Sequence, residues 1–191
     1  MSVVNILIVG VGGQGTLLAS TVLGNLALNA GLDVKLSEVH GMAQRGGSVV
    51  THVRFGEKVY APIVDKGQAD IIIAFEELEA LRYLSFLKPG GKLYVNSQEI
   101  LPMPVITGAA KYPENIREFM EENHISVEFV DALSIAKEVG NIKAVNTVML
   151  GYLANSLSFT KENWMNALKE CVKPKFLEVN QKAFLATYHG E

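Results

Sequence analysis

An apolar segment that runs into a cluster of glycines and then into a helical pattern constrains this chain most. Residues 3–9 are a near-continuous apolar run rich in β-branched side chains, which predicts a strand buried on both faces. Glycines follow at 10, 12, 13 and 15. Leu18, Val22 and Leu26 then recur at helical spacing, and Gly31 is the expected helix end. With a second strand predicted over 33–39, the chain opens as strand, helix and strand.

The middle of the chain interrupts this alternation and then returns to it. Residues 48–55 and 58–63 flank a turn-like break at Gly56, so we predict an antiparallel hairpin there in place of a helix. Strands and helices then alternate until about residue 143, after which the pattern is helical: strands at 69–75, 92–96 and 127–131, helices at 76–87, 114–123 and 134–139, and an extended connector at 101–104. The predicted fold class is α/β, with a Rossmann-like, mostly parallel sheet flanked by helices, a β-hairpin insertion and a helical C-terminal part.

Length and composition exclude several classes of protein. At 191 residues, of which 49% are apolar, the chain is expected to form a single domain spanning residues 1–191. The net charge of −3 and the lack of a lysine or arginine run give no electrostatic case for binding nucleic acid. No apolar stretch reaches the roughly 20 residues of a membrane span, and no secretory signal is recognisable, so we expect a cytoplasmic protein.

Cysteine and histidine usage bears on cofactors and catalysis. Cys171 is the only cysteine, which excludes a disulfide within the chain and a self-contained iron–sulfur cluster, since such a cluster needs about four cysteine ligands. None of the four histidines stands in a zinc-binding motif, so we predict no metal site. The sequence also lacks a Walker A lysine, a nucleophile elbow and a recognisable set of nucleophile, base and orienting group. We therefore predict no catalytic residues and expect the chain to act as a subunit.

Two glycine-rich segments form the candidate site. A loop between a buried strand and a helix presents backbone N–H groups and the positive end of the helix dipole, which favours an anion. Arg45 is followed by two glycines that allow close approach to a ligand, and its guanidinium suits phosphate or carboxylate. Gln14 is unusual within a glycine loop, and its amide can bond a phosphate or a neighbouring subunit. The predicted binding residues are Gly12, Gly13, Gln14, Gly15, Arg45 and Gly46.

Two other interpretations of the glycines stay open. Gly10, Gly12 and Gly15 match the G-x-G-x-x-G pattern of proteins that bind NAD or NADP. In those proteins an acidic residue after the second strand holds the ribose hydroxyls, and Glu38 would fill that role. Alternatively, the glycines only allow the helix to pack closely on the strand, and the chain is a structural partner without a ligand.

Two segments taken together resemble a known family. The chain is similar to the gamma-type subunit of thiamine-dependent 2-oxoacid:ferredoxin oxidoreductases in Ile8-Val9-Gly10-Val11-Gly12-Gly13-Gln14-Gly15 and in Glu38-Val39-His40-Gly41-Met42-Ala43-Gln44-Arg45-Gly46-Gly47-Ser48. The likeness covers essentially the whole chain, including residues 88–91 and Asn146. Within the family, the free-standing length and the His40-Gly41-Met42 segment are most like the beta subunit of the indolepyruvate type.

The resemblance implies an activity for a complex and a limited role for this chain. Enzymes of this family decarboxylate a 2-oxoacid on thiamine diphosphate, pass two electrons through iron–sulfur clusters to ferredoxin, and release an acyl-CoA. In the indolepyruvate type a large alpha subunit carries the thiamine diphosphate and the clusters, which agrees with the lone Cys171 here. The resemblance implies that this chain binds no cofactor alone and completes the active-site wall. The loops around Gln14 and Arg45 then either hold the phosphates of the co-substrate coenzyme A or close over the thiamine site. Ferredoxin is then an indirect partner. Whether the isolated chain forms a homodimer stays an open question at this point.

Overall fold

Within residues 2–41 and 46–190, which the computed structural model describes, six strands form one mixed sheet. Their order across the sheet is β2 (Asp33–His40), β3 (Ser48–Gly56), β1 (Val4–Val11), β4 (Ala69–Ala74), β5 (Leu87–Asn96) and β6 (Val127–Val130). From β1 to β6 the neighbours are parallel, whereas β3 is antiparallel to both β1 and β2. The predicted α/β class with a mostly parallel sheet is confirmed.

Helices cover both faces of this sheet. They are α1 (Thr16–Asn29), α2 (Glu77–Tyr83), α3 (Met103–Ile106), α4 (Ile116–Glu122), α5 (Ala132–Glu138), α6 (Val145–Ala154), α7 (Lys161–Cys171) and α8 (Pro174–Leu185), with single 3₁₀ turns at Leu84–Phe86 and Ile142–Ala144. Successive side chains of β1 point to opposite faces, so Ile6 and Ile8 pack with α1 and α5 to α8. Leu7 and Val9 pack with α2 and α4 on the other face. Both faces of β1 are therefore buried, as its apolar run predicts.

The predicted hairpin is wrong in its second strand. Residues 48–56 form β3, but residues 58–63 form no strand. Because β3 is already paired with β1 on one side and β2 on the other, it has no free edge for residues 58–63. Side chains hold that segment instead: Val59 N donates to Asp33 Oδ2 at 2.9 Å, and the Arg54 guanidinium donates to two of its carbonyls. The antiparallel hairpin exists, and β2 and β3 form it.

The predicted extended connector at 101–104 is also wrong. The chain there enters the short helix α3, which has Pro102 at its N-cap and Pro104 in its first turn. Both prolines are tolerated because N–H groups at the start of a helix have no intrahelical acceptor. The predicted N-cap at Thr160 is confirmed, since its hydroxyl accepts from Asn163 N in a capping box.

Candidate functional site

The glycine loop joins the end of β1 to the start of α1 through two left-handed residues. Gly13 has φ +106° and Gly15 has φ +86°, a region that side-chain-bearing residues rarely adopt. A Cβ on Gly15 would lie 2.6 Å from Asn146 Nδ2, whereas a Cβ on Gly13 would meet nothing within 4 Å. Gly15 is therefore packed against α6, and Gly13 faces open space.

Among the described residues, none caps the N-terminus of α1 through its side chain. The helix has no side-chain cap and no acidic residue in its first turn. Within the part of the chain that the structure describes, no hydrogen bond uses the backbone N–H groups of Gly13, Gly15, Thr16 and Leu17. Thr16 is only 7% exposed, and its hydroxyl has no partner among those residues either. Free N–H donors and a hydroxyl at the positive end of a helix suit an anion.

The second glycine-rich segment lies directly against the loop where the structure describes it. Gly12 N donates to Gly47 O at 2.8 Å, and Gly46 N donates to Gly12 O at 3.3 Å. These bonds bring together Gly12 and Gly46, two of the predicted site residues. Arg45 lies outside the described residues, so its predicted role stays a prediction. Since Gly12 uses both backbone groups here, the free N–H donors begin at Gly13.

A cavity of about 360 Å³ opens between the start of α1 and the ends of β2 and β3. Its lining residues come from the loop, the first turn of α1 and the two antiparallel strands: Gly12, Gly13, Gly15, Thr16, Leu17, Glu38, His40 and Val49. Glu38 is exposed, and its Oε2 accepts a 3.2 Å hydrogen bond from the Thr51 hydroxyl. The cavity therefore offers N–H donors on one element and a carboxylate acceptor on another.

The side chain of Gln14 points into the chain, whereas a residue that contacts a ligand would be expected to line the cavity. Its Oε1 accepts from Val11 N at 2.7 Å, and its Nε2 donates to Phe75 O at 2.9 Å and to Gln98 Oε1 at 3.1 Å. The side-chain amide thus bonds within the chain, and Gln14 is absent from the lining of the cavity. The prediction that Gln14 binds a ligand directly is left untested.

A buried carboxylate cluster closes the neighbouring helix start at α2. Glu76 caps α2 by accepting from Glu79 N at 2.9 Å, and it also accepts from the Tyr112 hydroxyl at 2.6 Å. Glu79 accepts from the Ser48 hydroxyl at 2.5 Å and pairs with Arg82 at 2.8 Å. Burial raises the pKa of Glu79 above its usual value, and burial together with the Glu76 carboxylate raises the pKa of Tyr112. Every carboxylate in this cluster has a partner from the chain.

Sequence reasoning found the glycines and missed the residues that complete the site. Thr16 follows the motif and gave no signal of its own. His40 lies in the second segment that carries the family resemblance and Val49 directly follows that segment, yet only the pairing of β2 with β3 places them at the cavity. Asn146 contacts Gly15 from 131 residues away, at a distance of 3.4 Å from Nδ2 to the carbonyl oxygen.

The topology bears on the alternative of a dinucleotide site. In a dinucleotide-binding unit the acidic residue ends the strand next to β1. Here β3 separates β1 from β2, which places Glu38 two strands away, at about 9.5 Å for a usual strand spacing. The G-x-G-x-x-G pattern is therefore present without the strand arrangement that normally accompanies it.

The described ranges contain neither a cluster of metal-ligating side chains nor a membrane-spanning helix. No group of three or more histidine, cysteine, aspartate or glutamate side chains in residues 2–41 and 46–190 is placed to hold a metal ion. Among the helices of those same ranges, none has the length and apolar character needed to cross a membrane.

Comparison with known proteins identifies the family. The family described as pyruvate ferredoxin/flavodoxin oxidoreductase matches residues 5–190. Indolepyruvate oxidoreductase subunit IorB of Thermococcus kodakarensis is 44% identical over 186 residues, covering 94% of this chain and 92% of that protein. The IorB subunit of Pyrococcus horikoshii is 45% identical over 186 residues, with the same two coverages of 94% and 92%.

A solved structure agrees with both the family and the fold. The gamma subunit of a keto/oxoacid ferredoxin oxidoreductase from Geobacter sulfurreducens is 25% identical, has a TM-score of 0.71, and covers 97% of this chain and 96% of its own. The resemblance to gamma-type subunits and to the indolepyruvate type is confirmed by these matches. The chain belongs to the pyruvate ferredoxin/flavodoxin oxidoreductase family and is an IorB-like subunit of a 2-oxoacid:ferredoxin oxidoreductase complex.

Proposed function

We propose that this chain is the cofactor-free subunit of a thiamine diphosphate-dependent oxidoreductase that converts indolepyruvate or a related aryl pyruvate to an acyl-CoA in the cytoplasm. Its partner is a large alpha subunit that carries the thiamine diphosphate and the iron–sulfur clusters, with ferredoxin as the electron acceptor. The indolepyruvate substrate is proposed from the IorB relatives, which are similar over 94% of this chain. Residues 1–191 act as one domain that completes the pocket.

Within the complex, the glycine loop binds the phosphates of coenzyme A. The observation that carries this assignment is the open N-terminus of α1, where four backbone N–H groups and the Thr16 hydroxyl have no partner in the described chain. A diphosphate is the part of coenzyme A that such donors fit. Glu38 lies across the same cavity, and its carboxylate suits ribose hydroxyls rather than phosphate. Arg45 follows β2 in sequence and adds the positive charge that the loop lacks.

The Michaelis constant for coenzyme A in the reconstituted complex tests this function. Arg45→Ala is expected to raise that constant about tenfold, because a charged hydrogen bond to phosphate is lost. Lys66→Ala is the matched control, since Lys66 is an exposed cation with no ion pair in the described part of the chain. An unchanged constant in a normally assembled Arg45→Ala complex removes Arg45 from coenzyme A binding.

A thermal-shift screen of the isolated chain separates this function from the dinucleotide alternative. Coenzyme A is expected to raise the melting temperature more than NAD or NADP does, because the inserted β3 disrupts the dinucleotide arrangement. Tight binding of NAD would instead support the nucleotide-binding alternative based on Gly10, Gly12, Gly15 and Glu38. No shift with any of the three would favour a purely structural subunit.

A further inference from the structure

Gln14 is the one large side chain in the glycine loop, and it folds back under the loop. Its Oε1 accepts from Val11 N at 2.7 Å, so the amide closes the loop on the end of β1. Its Nε2 donates to Phe75 O at 2.9 Å, which ties the loop to the residue after β4. Both ends of one side-chain amide are therefore bonded to backbone groups at the carboxyl ends of adjacent strands.

Gly10 provides the space that this arrangement needs. A Cβ at Gly10 would lie 2.8 Å from Gln14 Oε1 and 3.1 Å from Phe75 Cβ. Any side chain at Gly10 would displace the amide or the strand beside it. The first glycine of the motif is thus explained by the glutamine that follows four residues later.

Two further side-chain amides, those of Gln98 and Asn96, extend the hydrogen-bond network that holds Gln14. Gln98 Oε1 accepts from Gln14 Nε2 at 3.1 Å and from Asn96 Nδ2 at 3.2 Å. Asn96 Nδ2 also donates to Phe75 O at 3.1 Å, and Asn96 Oδ1 accepts from Ala132 N at 3.3 Å. The network joins the ends of β1, β4 and β5 to the start of α5, and Asn96 is fully buried within it. Gln98 and Asn96 are absent from the cavity lining.

We propose that Gln14 is a positioning residue, which sets the conformation of the glycine loop and hence the ligand affinity, without touching the ligand. The inference rests on the proposed binding of coenzyme A by this loop. Gly13 and Gly15 need positive φ angles to present their N–H groups. Gln14 lies between them, and the hydrogen bonds of its side-chain amide hold this part of the loop in place. Gln98 Oε1 is the side-chain acceptor for Gln14 Nε2, beside the backbone acceptor Phe75 O. A change at Gln98 therefore alters ligand affinity through Gln14.

The test uses Gln98, because it is absent from the cavity lining and its side chain bonds only to Gln14 and Asn96 in the described chain. Gln98→Met removes the side-chain acceptor and leaves Phe75 O in place, and it is expected to raise the Michaelis constant for coenzyme A three- to tenfold, with kcat changed less than twofold. Gln98→Glu keeps an acceptor for both amides and is expected to restore a value within twofold of wild type. Gln68→Met is the control, an exposed glutamine whose side chain makes no hydrogen bond in the described chain.

A double-mutant cycle separates positioning from contact. If Gln14 acts through the network, the effects of Gln14→Ala and Gln98→Met are not additive, and the double variant resembles Gln14→Ala alone. If Gln14→Ala raises the Michaelis constant while Gln98→Met leaves it unchanged, the amide network does not set the ligand affinity and the proposal is wrong.

Hydrogen exchange on the full chain without ligand keeps the inference separate from the proposed function. Gln14→Ala and Gln98→Met are both expected to speed exchange of the Val11 amide about tenfold, while amides of β6 keep wild-type rates. Exchange at Val11 that stays unchanged in both variants overturns the positioning role. Failure of the wild-type complex to bind coenzyme A, with the exchange result as expected, overturns only the proposed ligand.

Discussion

The neighbouring strands β1 and β4 each lead into a helix, and the two helix starts are satisfied in opposite ways. At α2 the chain supplies its own anions: Glu76 caps the helix, and Glu77 and Glu79 stand in its first turn. All three carboxylates are buried and paired with Tyr112, Arg117 or Arg82. At α1 the N-cap is Gly15, and the first turn of the helix contains no carboxylate.

This difference indicates where an external anion can bind. Both helix starts lie at the carboxyl edge of one parallel strand pair, so they share the same surroundings in the sheet. A helix start that already holds carboxylates repels a further anion, whereas one with free N–H groups attracts it. This contrast between α1 and α2 supports the proposal that the anion binds at the start of α1.

The largest expected effect is at Gly15. Gly15→Ala adds a Cβ against Asn146 at a left-handed residue, and we expect a loss of about 4 kcal/mol in the free energy of unfolding, from backbone strain and overpacking. Gly13→Ala is the matched variant, with the same kind of backbone and no neighbour within 4 Å, so a loss of about 1–2 kcal/mol is expected. Urea unfolding measures both. Equal losses would show that Asn146 does not hold the loop.

The next effect is at the cap of α2. Glu76→Ala leaves Glu79 N, Ile100 N and the Tyr112 hydroxyl without their acceptor, and we expect a loss of about 3 kcal/mol in the free energy of unfolding. Glu76→Gln keeps an acceptor oxygen and is expected to lose less than half as much. A loss below about 0.5 kcal/mol for Glu76→Ala would mean that α2 needs no internal anion, and the contrast with α1 would fail.

The contacts behind these predictions fall into two groups. Some could be predicted from the sequence because they are local, and others join residues that are far apart in the chain. The strand, loop and helix at 4–29 were predictable because their signals are local: apolar periodicity and glycine positions within 30 residues. The hairpin error at 58–63 arose because the alternation there is also local, whereas the pairing that excludes it joins β3 to β1 across the chain. The position of Gln14 was beyond sequence reasoning for the same reason, since its partners Phe75 and Gln98 are 61 and 84 residues away.

A smaller effect is expected at Thr16, where the open helix start meets the cavity. Thr16→Val removes a hydroxyl that has no partner in the described chain, so the free energy of unfolding is expected to change by less than about 0.5 kcal/mol. The Michaelis constant for coenzyme A in the complex is expected to rise three- to tenfold. Thr21→Val on the same helix is the control, since its hydroxyl is exposed and bonds to Leu17 O. Equal constants for the two variants would place the anion elsewhere.

The smallest expected effect is a pH dependence of the free energy of unfolding, which arises at the start of α2 and not at the start of α1. Burial raises the pKa of Glu79 above its usual value of 4.5, so the folded chain binds this proton more tightly than the unfolded chain does. The contribution of the Glu79 proton to the free energy of unfolding is therefore fully present below the pKa that Glu79 has in the unfolded chain. It is lost as pH rises through the pKa that Glu79 has in the folded chain. From pH 4.5 to pH 7 the free energy of unfolding of wild type is expected to fall relative to Glu79→Gln, by about 1 kcal/mol or less. Thr16→Val is expected to follow the wild-type profile, because α1 begins without a carboxylate. A wild-type free energy that instead rises with pH relative to Glu79→Gln would mean that Ser48 and Arg82 outweigh the burial of the Glu79 charge, and that the α2 start tolerates its anions without strain.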